Sequence, residues 1–231
     1  TSQPHRRDFL ETLGLGAAGL VTAGYTATAK GFAANETISV GAIGTGGRCR
    51  RLLEVLREIP GVRIVAVCDV VTHPARGREP ADPNAFPTKN HHELLARSDV
   101  DAVVIGSPDH WHVPHTVDAC AAGKDVYVEK PLTHGLDEGA AVVAAQNDHR
   151  KIVQVGMQQR SMPHLQEAAG IIRSGQLGKI HKVHLTWNRN TDRAQRPKDQ
   201  LDPKTVDWKR FLGNAPDQPF DEYRFRRWRW F

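Results

Sequence analysis

The strongest candidate for a catalytic residue in this sequence is a lysine at the end of a short apolar run. Residues Asp125–Pro131 read Asp-Val-Tyr-Val-Glu-Lys-Pro, and the two valines are typical of a strand interior. Pro131 cannot donate a hydrogen bond within a sheet, and it favours an extended conformation at Lys130. Open α/β sheets bind ligands at the carboxyl ends of their parallel strands. The alternative is a solvated Lys130 paired with Glu129, and this stretch taken alone favours that alternative.

A glycine-rich turn is the second candidate. It follows an apolar run, Ile38–Ile43, that predicts a strand, and it precedes apolar residues at helical spacing. The turn contains Gly44, Thr45, Gly46, Gly47 and Arg48. Glycines allow a tight turn and let the backbone approach a pyrophosphate, while the helix N-terminus supplies free N–H groups. Gly44 and Gly46 fit the first two glycine positions of a dinucleotide-binding turn, and Cys49 replaces the third glycine.

An acid ends the next predicted strand. Gly61–Cys68 is apolar and β-branched, and Asp69 follows it directly. An acid roughly 20 residues after such a glycine turn can bind the ribose hydroxyls of a dinucleotide. With strand, turn, helix and Asp69 in register, the pattern favours nucleotide binding. Because Asp69 would repel a 2′-phosphate, it predicts NAD in preference to NADP.

These side chains must be positioned by alternating strands and helices. The other predicted strands are Val100–Gly106, Asp125–Glu129 and Lys151–Gly156, and the predicted helices include Gly135–Asn147 and a short helix capped by Asn90. Residues Val70–Lys89 contain four prolines and are predicted to form a loop. The alternation from Ile38 to about Gly156 predicts an α/β fold with a doubly wound parallel sheet of the Rossmann type.

The pattern changes after Gly178. Val183, Leu185 and Trp187 alternate with polar residues, which predicts a strand of an antiparallel sheet with one solvated face. We therefore predict a Rossmann domain over 35–158 and the start of an α+β domain, with a largely antiparallel sheet, over 159–231. The basic and aromatic end at 224–231 could suggest single-stranded nucleic acid. An interrupted second domain is the simpler interpretation, so the sequence is expected to be truncated.

The N-terminal region resembles an export signal. Arg6 and Arg7 are followed by one residue and then Phe-Leu, a Gly/Ala-rich run comes next, and Ala27-Thr28-Ala29 is a small-x-small cleavage pattern. Residues 1–34 are thus predicted to be a twin-arginine signal and linker that directs the folded protein to the periplasm or outside the cell. The alternative is a buried helix, which the glycines of the run disfavour.

Composition excludes several other classes. No stretch of eighteen apolar residues occurs, so stable membrane insertion is not expected. Three dispersed cysteines argue against a disulfide framework. The net charge of +5 is mild and partly local to the C-terminus, so no nucleic-acid partner is expected. His110, His112 and His115 suggest zinc, but no acid–histidine set at i, i+4 spacing accompanies them, and no metal site is predicted.

Taken together, these motifs resemble those of the Gfo/Idh/MocA family of NAD(P)-dependent sugar and polyol oxidoreductases, in particular its secreted bacterial branch. The resemblance runs from about Ile38 to the last residue. It rests on the glycine turn, Asp69, the Ser-Pro-Asp-His-Trp-His run at 107–112, Glu129-Lys130-Pro131 and the Gly-Met-Gln-Gln-Arg run at 156–160.

The resemblance implies roles for individual residues. Lys130 would be catalytic, lying beside the nicotinamide and exchanging a proton with the reacting hydroxyl. Glu129 would bind the cofactor or position Lys130, and Arg160 would reach the substrate. The cofactor-binding set would be Gly44, Thr45, Gly46, Gly47, Arg48, Asp69, Ser107, Pro108, His112, Glu129 and Lys130. The family's Asp/His pair lies beyond the last residue here, so this fragment alone is expected not to turn over.

The resemblance implies three alternative functions. The leading one is hydride transfer between NAD(P) and a sugar or polyol hydroxyl. A second is an NAD-dependent glycosidase that acts through transient C3 oxidation and elimination, and a third is a non-catalytic dinucleotide-binding protein. Because the periplasm supplies no NAD, export predicts a tightly bound cofactor. A homo-oligomer is expected for the full-length protein.

Overall fold

The computed structural model describes residues 37–71, 83–186 and 201–230. The predicted signal at 1–34 and the end of the predicted strand at Trp187 lie outside these ranges. The described residues from Ser39 onward belong to one compact unit, which contains the features described below. Among the described residues, no helix combines the length and apolarity needed to cross a bilayer.

A six-stranded sheet forms the centre of the fold. Its strands are β1 (Ile38–Ile43), β2 (Val62–Cys68), β3 (Phe86–Thr88), β4 (Ala102–Ile105), β5 (Asp125–Glu129) and β6 (Val153–Gly156). The strand order is β3-β2-β1-β4-β5-β6, and β4 pairs in parallel with both β1 and β5. This is the strand order of a Rossmann fold, in which the chain reverses direction across the sheet between β1 and β4. The predicted doubly wound parallel sheet is confirmed.

Helices cover both faces of the sheet. Those that pack on its faces are α1 (Gly47–Arg57), α2 (His91–Leu95), α3 (His112–Ala121) and α4 (Gly139–His149), and α5 (Pro163–Arg173), α6 (Trp208–Leu212) and α7 (Glu222–Arg226) follow along the chain. Because side chains alternate along a strand, Val104 packs into the core that contains α1, whereas Val103 and Ile105 pack into the core under α2, α3 and α4. Asn90 caps α2 through its side chain, as predicted, by accepting from the N–H of His92.

The register aligns the ends of the strands. Ile43 lies opposite Ile105, and Ile105 lies opposite Val128, so these three residues form one row across the sheet. The chain leaves each of these strands at the same edge. The glycine turn after Ile43 and the two loops that follow β4 and β5 are therefore neighbours.

Two local predictions were wrong. Residues Val70–Lys89 were expected to be loop throughout, yet Phe86–Thr88 forms β3 and pairs in parallel with β2. Pro87 is tolerated because β3 is an edge strand, which has no partner on its outer side to receive an N–H. The helix expected from Gly135 begins at Gly139 instead, since the carboxylate of Glu138 accepts from the backbone N–H groups of His134 and Gly135 in a preceding turn.

The predicted strand at Val183–Trp187 is also absent from the described residues. Residues 181–186 are exposed and irregular, and no described strand runs beside them to complete a ladder. Alternating polarity stabilises a strand only where neighbouring strands and a core receive its side chains. The predicted antiparallel sheet does not occur within the described part of 159–230, and the predicted domain boundaries at 34/35 and 158/159 stay predictions.

Residues 201–230, here called the C-terminal segment, pack back onto the sheet edge. Val206 forms an antiparallel bridge with Val71, which follows β2. A third core forms from Val71, Leu201, Val206, Phe211 and Phe225, with Trp208, Phe220 and Trp228 packed against it. The segment is therefore helical and attached to the carboxyl ends of the strands, which is where the candidate chemistry lies.

Candidate functional site

The glycine turn has no room for a side chain at its first position. Gly44 has a φ of +77°, and an added Cβ would lie 2.4 Å from the backbone N and Cα of Ser107. Its N–H donates to the carbonyl of Cys68 at 2.8 Å. Gly46 then caps α1 without any side-chain hydrogen bond, and the first turn of the helix contains no acidic residue. Within the described structure, the helix N-terminus is thus left free to attract an anion.

Cys49 replaces the third glycine without preventing close packing. A Cβ on Gly106 would lie only 2.6 Å from the Cβ of Cys49. The glycine that allows α1 to approach the sheet is therefore on β4's exit and not on the helix. Cys49 is fully buried, and burial together with the charges of Asp69 and Glu129 raises the pKa of its thiol to about 12. A thiol held in its protonated form acts here as a small packing residue.

Asp69 is fixed at the end of β2. Its Oδ2 accepts from the hydroxyl of Thr45 at 3.1 Å, and its Oδ1 accepts from the N–H of Val71 at 3.1 Å. The carboxylate lines the cavity described below. These two hydrogen bonds hold it at the position where a strand-end acid meets the ribose of a dinucleotide.

Arg48 and Glu129 connect the glycine turn to the end of β5. The Nε of Arg48 lies 2.6 Å from Oε1 of Glu129, whose side chain is only 6% exposed. The other carboxylate oxygen accepts from the backbone N–H of Lys130 at 3.3 Å. Glu129 therefore positions the peptide that carries Lys130.

Lys130 is exposed and lines the cavity. Its side-chain nitrogen has no hydrogen-bond acceptor among the described residues, so the alternative of a Lys130–Glu129 ion pair is not observed. The Lys130–Pro131 peptide is cis. His112 holds the turn from behind, since its Nδ1 lies 2.5 Å from the carbonyl of Pro131 and its Nε2 lies 2.9 Å from that of Ser107.

The histidines after β4 bind protein atoms. His110 Nε2 lies 2.8 Å from the carbonyl of Phe211, and His115 Nδ1 lies 3.1 Å from the hydroxyl of Ser107. Burial lowers the pKa of His115 well below its ordinary value, and the neighbouring histidines lower it further.

A different group brings three possible metal ligands together in the described part of the chain. His91, His92 and Asp118 place their ligand atoms within 4.8 Å of one another. Two of these residues already bond directly, with Nε2 of His91 lying 2.9 Å from Oδ2 of Asp118.

The C-terminal segment forms the opposite wall of the site. Both His110 and the indole N–H of Trp111 reach the carbonyl of Phe211, the latter at 3.0 Å. Arg229 donates from Nε and Nη2 to the two carboxylate oxygens of Asp109, at 3.1 and 3.0 Å. Between this wall and the sheet edge lies a cavity of about 780 Å³.

Most of the predicted site residues meet at this cavity. It is lined by Gly44, Gly46, Gly47, Arg48, Asp69, Ser107, Pro108, His112, Glu129 and Lys130. Thr45 is buried behind Asp69. Arg160 is exposed in the short helix Gln158–Ser161 and does not line the cavity, whereas Gln158 does.

Sequence reasoning missed the wall opposite the sheet edge. Its lining residues are Arg210, Phe211, Phe225, Arg226, Arg227, Trp228 and Arg229. The signal was present in the sequence as four arginines interleaved with tryptophan at 224–229. It was interpreted as part of an interrupted domain because no local pattern indicates that this segment folds back on the strand ends.

A dinucleotide fits these residues. No heavy atom lies within 4 Å of a Cβ added to Gly47, so the first turn of α1 is open beside the cavity. The turn leaves room for a diphosphate at the helix N-terminus, and Asp69 is positioned for a ribose. The model of the GFO/IDH/MocA family, described as an oxidoreductase family with an NAD-binding Rossmann fold, matches residues 38–157. The chain belongs to this family.

Known relatives include dehydrogenases, reductases and glycosidases. An inositol 2-dehydrogenase from Rubrobacter xylanophilus is 36% identical over 161 residues, covering 68% of this chain and 46% of its own length. A glycosyl hydrolase family 109 protein from Saccharopolyspora erythraea is 39% identical over 160 residues, covering 58% and 34%. A 3-ketoreductase from Actinomadura kijaniata, solved with TDP-benzene and NADP, superposes with a TM-score of 0.54 at 26% identity, covering 60% and 44%. The chain spans less than half the length of each of these proteins.

Proposed function

We propose that the protein containing this chain is an NAD(P)-dependent oxidoreductase that transfers a hydride between the nicotinamide and a hydroxyl of a sugar or polyol. The observation that carries the proposal is the position of Lys130. It lies at the carboxyl end of β5 and opens on the same cavity as the glycine turn and Asp69. A bound nicotinamide supplies the hydride acceptor or donor, and the inositol 2-dehydrogenase among the relatives supports a polyol substrate.

The chain's own residues bind, position and move a proton. Lys130 has the unpaired side-chain nitrogen that donates to the reacting oxygen, or takes its proton as the carbonyl forms. Glu129 orients Lys130 through the backbone N–H and is itself held by Arg48. Asp69 accepts from the ribose hydroxyls, and because its charge repels a 2′-phosphate, NAD is the proposed cofactor in preference to NADP.

Replacing Lys130 with Met in the full-length protein tests this proposal. Met removes the amine and keeps a similar apolar length, so turnover is expected to fall by about 100-fold or more, since general acid–base groups contribute on that order. Nucleotide affinity is expected to fall far less than turnover, because the glycine turn and Asp69 still bind the dinucleotide. Absorbance of the reduced nicotinamide measures turnover, and calorimetry measures binding. Unchanged turnover would contradict the catalytic assignment of Lys130, whereas nucleotide binding without any turnover in the wild type would support a non-catalytic dinucleotide-binding protein.

A second candidate is a glycosidase that uses transient oxidation at C3, followed by elimination of the glycosidic bond and return of the hydride. The glycosyl hydrolase family 109 relative favours it. In this reaction the cofactor ends in the state in which it began. Release of the phenol from a nitrophenyl glycoside, without added NAD, supports the glycosidase, whereas sugar oxidation alone supports the dehydrogenase.

We propose further that residues 1–34 direct twin-arginine export to the periplasm or beyond, with NAD bound tightly before export and with the full-length protein assembling as a homo-oligomer. The support is the Arg6-Arg7 pair and the run that follows it. Exchanging both arginines for lysines is expected to retain the protein in the cytoplasm, which cell fractionation measures. Undiminished export of that variant would exclude the twin-arginine route.

A further inference from the structure

The cavity carries more positive charge than its acidic residues can balance. Seven basic side chains line it (Arg48, Lys89, Lys130, Arg210, Arg226, Arg227 and Arg229), against two acids, Asp69 and Glu129. A basic group that is paired with an acid is already compensated. The basic groups without a partner are therefore the ones best able to bind an anionic ligand.

Five of the seven cations have a partner. Arg48 pairs with Glu129, Arg210 with Asp207, Arg226 with Glu222 and Arg229 with Asp109, while Lys89 donates to the carbonyl of Thr205 at 2.8 Å. Lys130 and Arg227 are the two cavity-lining cations with no acceptor among the described residues. Lys130 has a role in the proposed reaction, and Arg227 has none.

Arg227 is partly buried, and its Nε is fully buried with no hydrogen-bond partner. A buried donor without an acceptor costs free energy, and the cost is greater for a charged group. The guanidinium lines the cavity, so a ligand there can supply the missing acceptor. Guanidinium groups bind phosphate and carboxylate oxygens through paired hydrogen bonds.

The position of Arg227 is fixed by its neighbours in the C-terminal segment. Two residues later, Arg229 makes the two-point ion pair with Asp109, and Trp228 packs against the third core. Asp109 begins the short 3-10 helix Asp109–Trp111 that follows β4. Arg227 is thus held over the edge where the chain reverses direction between β1 and β4, which is where such sheets bind a dinucleotide.

We infer that Arg227 binds an anionic oxygen of the molecule held in the cavity, either a phosphate of the dinucleotide or the carboxylate of an acidic sugar. The inference rests on the proposed function and adds a residue to its binding site. The C-terminal segment then takes part in ligand binding, because it places a second cation without an acceptor, beside Lys130, at the cavity.

Binding measurements on the full-length protein test the inference, with Arg227→Gln and Arg227→Lys as variants. Arg226→Gln is the matched control, since it removes the same charge from the adjacent residue, whose Nε already donates to Glu222 at 2.8 Å. Dissociation constants are measured for ADP and adenosine on nucleotide-free protein. They are then measured for D-glucuronate and D-glucose on NAD-loaded protein.

If Arg227 binds the diphosphate, Arg227→Gln weakens ADP about tenfold or more and leaves adenosine unchanged, since a hydrogen bond to a charged group is worth that much. If Arg227 binds a sugar carboxylate, the dissociation constant for ADP is unchanged. Arg227→Gln then loses the preference for D-glucuronate over D-glucose that the wild type shows. The affinity of Arg227→Lys is expected to lie between those of the wild type and Arg227→Gln. An ammonium keeps the positive charge but cannot make the paired hydrogen bonds of a guanidinium. The control stays within about twofold in both arms, because Glu222 already compensates the charge of Arg226.

The inference is overturned if the dissociation constants of Arg227→Gln for ADP and D-glucuronate both stay within about twofold of wild type. The loss of one hydrogen bond to a charged group would change them by about tenfold. The inference is also overturned if Arg226→Gln matches the losses of Arg227→Gln, because net charge would then explain them. Thermal unfolding of each variant verifies folding, and should Arg227→Gln be unfolded, Arg227→Lys decides by the same ligand comparison. Failure of the proposed function has a different signature, namely unchanged turnover after Lys130→Met.

Discussion

Arg48 and Glu129 form an ion pair of 2.6 Å between Nε and Oε1, although they are 81 residues apart in sequence. The contact joins the first turn of α1 to the last residue of β5. It connects the glycine turn to the peptide of Lys130. The side chain of Glu129 is 6% exposed and that of Arg48 is 41% exposed. Removing Arg48 would therefore leave a buried charge unpaired, whereas removing Glu129 would leave a charge that water can solvate.

Replacing Arg48 with Ala is expected to lower the free energy of unfolding by about 1–3 kcal/mol, because Glu129 is left buried without its charged partner. Urea unfolding measures the change. Arg50→Ala is the control on the same helix, since Arg50 pairs with the exposed Glu54 at 3.5 Å and such pairs are worth about 0.5 kcal/mol. Equal losses in both variants would contradict a structural role for the Arg48–Glu129 pair.

Gly44→Ala is expected to lower the free energy of unfolding by about 2 kcal/mol or more, because a side chain at φ +77° is strained and its Cβ meets the backbone of Ser107. Gly47→Ala is the control, since open space surrounds its Cβ and alanine favours the helix over glycine by about 1 kcal/mol in helix interiors. The two unfolding curves are compared in urea. A tolerated Gly44→Ala would show that the turn relaxes away from β4.

Acid is expected to destabilise the fold through His115. Burial and the neighbouring histidines lower the pKa of His115 well below 6.5, so the folded protein keeps the ring neutral while the unfolded chain takes up a proton. The stabilising contribution is therefore present above pH 6.5 and is lost as the pH falls below it.

Urea midpoints measured from about pH 7.5 down to about pH 5 check this expectation in the range where histidine titrates. His115→Gln is expected to be less sensitive to acid than the wild type over the same range. Burial also lowers the pKa of His110. Because His110 is unchanged in this variant, part of the acid sensitivity is expected to remain. A stability that rises in acid would contradict the assignment.

The site residues that sequence reasoning found are those whose position depends on local rules. Gly44, Asp69 and Lys130 each follow a predicted strand directly, and parallel strands present their carboxyl ends at one edge. The βαβ pattern by itself therefore predicts that they lie together. Their common cavity agrees with that reasoning.

The errors arose where local rules compete with long-range pairing. Pro87 and the prolines before it predicted a loop, but residues Phe86–Thr88 pair in parallel with β2 and form the edge strand β3. The alternation at Val183 and Leu185 predicted a strand, but no described strand lies beside it. Strand formation depends on a neighbour, and the sequence of one segment does not specify that neighbour.

The sequence by itself determined the Rossmann sheet, the glycine turn with its acid, and the candidate lysine, because periodic burial and backbone hydrogen bonding are decided over short stretches. Only the tertiary structure decided that the C-terminal segment closes the cavity. Asp109 and Arg229 are 120 residues apart, and His110 and Phe211 are 101 residues apart. Contacts at such separations depend on how complete surfaces pack against each other, which no local pattern encodes. Folding back in this way makes Arg227 face the same cavity as Lys130.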